Sequence, residues 1–113
     1  MIRDVEPQVP EGAAVFPLIP EELGVHPLLL AVLHAVVFLD GSEPNVVNSD
    51  AALEAREYIA TYLQRLRGPE LRRVREDLEA LVSYARQQKW PREQVRFLKE
   101  FLKEHGVGGE DKA

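Results

Sequence analysis

The apolar pattern is densest from Leu28 to Leu39, LLLAVLHAVVFL, where eleven of twelve residues are apolar and His34 is the exception. A surface helix carries an apolar stripe and a polar face. This stretch has no polar face, so it predicts a helix from Pro27 to about Leu39 that is covered on nearly every side. Pro27 suits the first helical position, and Asp40-Gly41-Ser42-Glu43-Pro44 supplies turn residues at the far end. The run is well short of the ~20 apolar residues a membrane span needs, and reads as a core helix.

Ala52, Ala55, Ile59, Leu63 and Leu66 recur at spacings of three and four. They predict a second helix from near Asp50 to Arg67, capped by Asn48, Ser49 or Asp50 and flanked by Tyr58 and Tyr62. Gly68 fits a left-handed helix terminus and Pro69-Glu70 fits the next start, so a tight connection is expected there. The third helix runs from Pro69 to about Lys89. Its seam of Leu71, Val74, Leu78, Leu81 and Ala85, broadened by Val82, suits lengthwise packing against an antiparallel neighbour. The fourth runs from Pro91 to near His105, with Val95, Leu98, Phe101 and Leu102 inward and Phe97 beside them. Trp90 is expected at the joint between helices three and four, Gly106 at the stop, and fraying from Val107 to Ala113.

Ahead of the helices, residues 1–27 hold five of the eight prolines. Each fixes its own φ and biases its predecessor towards extended backbone. Residues 1–14 are expected to be mobile. Val15-Phe16-Pro17-Leu18-Ile19 is too apolar for a solvated tail and is expected to lie across the bundle or a partner subunit, and Pro20-Glu21-Glu22-Leu23-Gly24 reads as one helical turn. The fold class is therefore all-α, one domain of 113 residues: a small four-helix bundle with an extended Pro-rich N-terminal arm.

Leu28, Leu29, Val32, Leu33, Val36 and Val37 cannot all face one core, and an exposed apolar patch of several hundred Å² marks an interface. The pattern thus predicts a homo-oligomer, a dimer first. Its contact residues would be Leu29, Val32, Leu33, Val36 and Val37, with Phe16, Leu18 and Ile19 of the arm reaching across. The alternative is that the arm folds back over the first helix within one chain.

Composition narrows the chemistry. The chain has no cysteine, which excludes disulfides, thiolate metal sites and a cysteine nucleophile. With no signal-peptide pattern, a cytoplasmic setting is expected. The net charge is −5, unevenly spread: residues 1–49 carry one arginine against seven acidic side chains, and residues 50–105 carry twelve basic against ten acidic ones. That balance argues against a general nucleic-acid coat.

Arg65, Arg67, Arg72, Arg73 and Arg75 form the densest basic cluster. The first two suit a helix C-terminus, but the last three sit where a helix dipole disfavours cations. Pairing with Glu76, Asp77 and Glu79 at i,i+4 is the local answer; binding of an acidic protein partner, or of nucleic acid, is the functional one. His26 and His34 lack the spacing of metal ligands, and His105 reads as an ordinary helix-terminal residue. No phosphate loop, nucleophile elbow or spaced carboxylate pair is present, so no cofactor and no enzymatic activity are expected. The function expected is that of a protein–protein interaction or oligomerisation module, with nucleic-acid binding through Arg65–Arg75 as the alternative.

Overall fold

The computed structural model describes residues 9–108. Among these residues the regular structure is helical throughout: a 3₁₀ turn at Glu21–Leu23, then α1 (Pro27–Gly41), α2 (Ser49–Leu63), α3 (Gly68–Gln87) and α4 (Arg92–Glu104). The closest helix pairs are α1 with α2 and α3 with α4.

Local chemistry accounts for most boundaries. Pro27 opens α1, and the His26 side chain caps it: its Nδ1 accepts from the Leu28 N–H at 3.0 Å. Asn48 caps α2 by accepting from the Ala51 N–H at 2.9 Å, satisfying a donor the helix leaves orphaned. The 3₁₀ turn ends at Gly24, whose φ of +78 no β-carbon obstructs.

Helix α2 stops at Leu63, four residues before the expected Arg67. The backbone tightens there: Arg65 and Leu66 donate to the Tyr62 and Leu63 carbonyls, three residues back. Arg67 is fully extended. Leu66 keeps its half-buried place, so apolar spacing persists after the helix has ended. Gly68, at φ +62, accordingly opens α3 rather than closing α2.

The α3–α4 joint is a Schellman turn made without glycine. Trp90 N–H donates to Ala85 O, five residues back, and Lys89 N–H to Arg86 O, which places Lys89 in the left-handed position at φ +59. A side chain there costs about 1–2 kcal/mol, partly regained on mutation to glycine because the unfolded chain gains freedom. Lys89→Gly is expected to raise stability by about 0.5–1 kcal/mol, read from the urea midpoint. The same motif closes α4, with Val107 N–H donating to Leu102 O and Gly106 N–H to Lys103 O. Here Gly106 holds the left-handed place at φ +72. Val107 is consequently buried, 4% exposed, where fraying was expected: the motif's last residue folds back onto the helix it ends.

The arm packs within its own chain. Glu43 N–H donates to Gly12 O at 2.8 Å, and Ala14 N–H to the Ser42 hydroxyl at 2.9 Å. The fit is close enough that a β-carbon on Gly41 would come within 2.9 Å of the Ala14 β-carbon. Phe16 enters the core and meets Trp90 edge-on, ring centroids 5.7 Å apart. Residues 1–8 and 109–113, part of the stretches expected to be mobile, lie outside the described residues.

The core joins Phe16 and Val25 of the arm, Leu29, Leu33 and Val36 of α1, Leu78, Leu81 and Ala85 of α3, and Leu98 and Phe101 of α4. Ile59 and Leu63 of α2 pack against it, partly buried. On α1, therefore, Leu29, Leu33 and Val36 serve the core of a single chain. Leu28, Ala31 and His34 face outward instead, so α1 is not covered on every side.

Candidate functional site

A concave face lies between α3 and α4. The α4 cations Arg92, Arg96, Lys99 and Lys103 are spaced four, three and four apart, which stacks them into one stripe along the helix. Like charges at i,i+4 destabilise a helix, so the stripe raises the question of what offsets it. The core below sets its direction: Leu98 and Phe101, each 1% exposed, hold the inner face, while Glu93, Glu100 and Glu104 line a cleft on the side towards Arg56.

Across from this stripe, α3 contributes Arg75 and Arg86. The helices enclose a groove of ≈ 680 Å³, with Leu78, Val82, Leu98 and Leu102 as apolar lining and Arg75, Arg86, Lys99 and Lys103 as cations. Glu79 is the acid in this lining. Towards the joint the groove runs into a second concavity of ≈ 490 Å³, which shares Arg86 and Lys99 and adds Lys89, Arg92, Arg96 and Trp90, with Glu100 as its acid. Among the described residues, Arg86, Lys99 and Lys103 have no carboxylate within ion-pair distance. On a chain of net charge −5 the rim is thus mostly cationic, interrupted by Glu79 and Glu100, around an apolar floor.

The five arginines singled out in the sequence do not form one patch. Arg73 is turned inward: its Nε donates to both carboxylate oxygens of Asp77 at 3.0 Å, and its Nη2 to the Gly24 carbonyl at 3.1 Å. Arg65 lies over the Tyr62 ring, 4.8 Å from its centroid. Arg67 lines a separate shallow concavity beside Gly68 and Gly106. Arg72 is exposed, and Arg75 alone of the five lines the groove. The contact residues expected for self-association divide as well. Phe16, Leu29, Leu33 and Val36 are buried; Ile19, Val32 and Val37 are partly buried; Leu18 is 96% exposed.

A smaller cleft of ≈ 140 Å³ lies among α1, α2 and α4, lined by Asp40, Arg56, Glu100 and His105. Arg56 Nη1 donates to Asp40 Oδ1 at 3.0 Å. His105 ends α4, as expected of a helix-terminal residue, and is buried there. Its Nδ1 donates to Phe101 O at 2.8 Å, and its own carbonyl accepts from Gln64 Nε2 at 2.9 Å. Neither His105 Nε2 nor Arg56 Nε has a hydrogen-bond partner among the described residues.

The groove escaped sequence reading because its two walls come from different helices, and because basic residues on α4 alternate in sequence with acidic ones. The four-three-four spacing on α4 was the available signal. Among the described residues no helix is long and apolar enough to cross a membrane. No family model, curated protein or solved structure matches the chain.

Proposed function

We propose that this protein is a non-enzymatic interaction module whose α3–α4 groove docks a segment that is acidic along one edge and apolar along the other. The observation that carries this reading is the groove's composition: an apolar floor beside Arg86, Lys99 and Lys103, which no carboxylate among the described residues pairs, on a chain of net charge −5. An amphipathic segment laid in such a groove buries its apolar side and places its acids against the rim. The rim charges steer association and set its salt dependence, while the floor provides the buried contact. A cysteine-free chain fits work in a reducing cytoplasm.

Trp90 is the one tryptophan in the chain and lines the end of the groove, so its emission reports occupancy. Titration with a synthetic helical peptide bearing leucine and glutamate at i,i+3,i+4 positions is expected to shift Trp90 emission saturably. Lys99→Glu with Lys103→Glu is expected to weaken binding by at least about tenfold. An unchanged spectrum at saturating peptide would overturn the reading. Tight binding of an RNA or DNA oligonucleotide, with affinity falling steeply with salt, would replace it by the nucleic-acid alternative.

A further inference from the structure

We infer that the segment the groove receives is the proline-framed arm of a second copy, so that this chain associates head to tail. The inference rests on the reading of the groove as a docking site and adds the identity of the occupant.

Leu18 is 96% exposed, the highest value among the large apolar side chains described. It stands between Pro17 and Pro20, and Pro20 has the polyproline geometry φ −66, ψ 143. Phe16, two residues earlier, is anchored in the core. A leucine held outward by an anchored, proline-stiffened backbone is preorganised to insert, because little chain entropy remains to be lost on docking. Glu21 and Glu22 follow on the same segment, both exposed. The arm therefore offers what the groove lacks: an apolar knob next to two acids, for a floor of Leu78, Val82, Leu98 and Leu102 between Arg86, Lys99 and Lys103.

Sidedness makes the contact intermolecular. The arm is tied to α3 through Arg73 and Asp77, whereas the groove is lined from Arg75 and Glu79. Positions two apart on an α-helix are rotated by roughly 200°, so the ties at Gly24 and His26 and the floor of the groove lie on opposite sides of α3. The arm cannot turn into its own groove while these bonds hold, but it can enter that of another molecule. Because the two surfaces differ, the contact is heterologous, and each added copy presents a fresh arm and a fresh groove.

The test is sedimentation velocity and light scattering on the full chain across a wide concentration series. The average mass is expected to start at 12.8 kDa, rise past that of a dimer without a plateau, and fall back with added salt. Leu18→Glu and, separately, Lys99→Glu with Lys103→Glu are each expected to remain monomeric. Both change exposed residues, so circular dichroism melts should match the parent chain; Lys99→Gln with Lys103→Gln covers the case where charge reversal disturbs α4. An equimolar mixture of the two defective variants retains one intact arm and one intact groove. It is expected to give a one-to-one dimer that does not grow.

A parent chain that stays monomeric, a Leu18→Glu variant that still assembles, or a mixture that fails to pair would each overturn the inference. If the chain stays monomeric while the acidic helical peptide still shifts Trp90 emission, self-docking fails and the docking reading stands. If neither occurs, both fail.

Discussion

Leu33→Asp is expected to unfold the protein. Leu33 is 0% exposed at the centre of a cluster that draws on the arm, α1, α3 and α4. Losing its side-chain packing costs about 2–5 kcal/mol, and an unpaired buried carboxylate adds several more. Together these approach the roughly 5–15 kcal/mol by which a domain of this size is stable. Leu28→Asp, five residues earlier on α1, supplies the contrast. Leu28 is 71% exposed, so that change is expected to shift stability by no more than about 0.5 kcal/mol. Far-UV circular dichroism at room temperature reads the first and urea denaturation the second. Comparable effects from the two would mean that α1 presents a different face to the core.

That contrast also marks how much of the molecule could be read from its pattern. The four helices, the cap at Asn48, the helix start at Pro27, the turn at Gly24 and the joint at Trp90 follow from local chemistry, and local chemistry is legible in a sequence. The cover on α1 was not legible. Hydrophobicity alone cannot tell whether a second chain or a folded-back arm supplies it, and what decides is a long-range fit: Phe16 against Trp90, and Ala14 against Gly41 and Ser42. The arginine cluster misled for a related reason. Proximity in sequence brought Arg65 to Arg75 together, whereas the fold sends Arg73 to Gly24 and Asp77 and leaves Arg75 facing the groove. The basic surface that does form draws its walls from residues more than twenty positions apart, Arg75 and Lys99 among them.

Asp77 shows the same long-range logic in energetic form, and its removal is the second large effect expected. It lies on α3 among leucines, 7% exposed, at a position whose spacing gave no sign of burial. Its carboxylate accepts the His26 backbone N–H at 3.0 Å and the Arg73 Nε at 3.0 Å. One side chain thus ties the residue that caps α1 to the middle of α3, and Arg73 extends the tie to Gly24. Hydrogen bonds to a charged group contribute about 1.5–3 kcal/mol each, and the His26 N–H would be left unsatisfied, so Asp77→Ala is expected to cost about 3 kcal/mol. Arg73 is 49% exposed at its side chain, so water replaces part of what it loses; yet Arg73→Ala strands the buried carboxylate and is expected to cost about 2 kcal/mol. The two losses should not add. Once Asp77 is gone, Arg73 retains only its bond to Gly24, and the double variant is expected to fall short of the sum by about 1–2 kcal/mol. Urea denaturation of the four chains measures that coupling. A strictly additive result would mean that Asp77 acts through the His26 N–H alone, with the guanidinium a bystander at the surface.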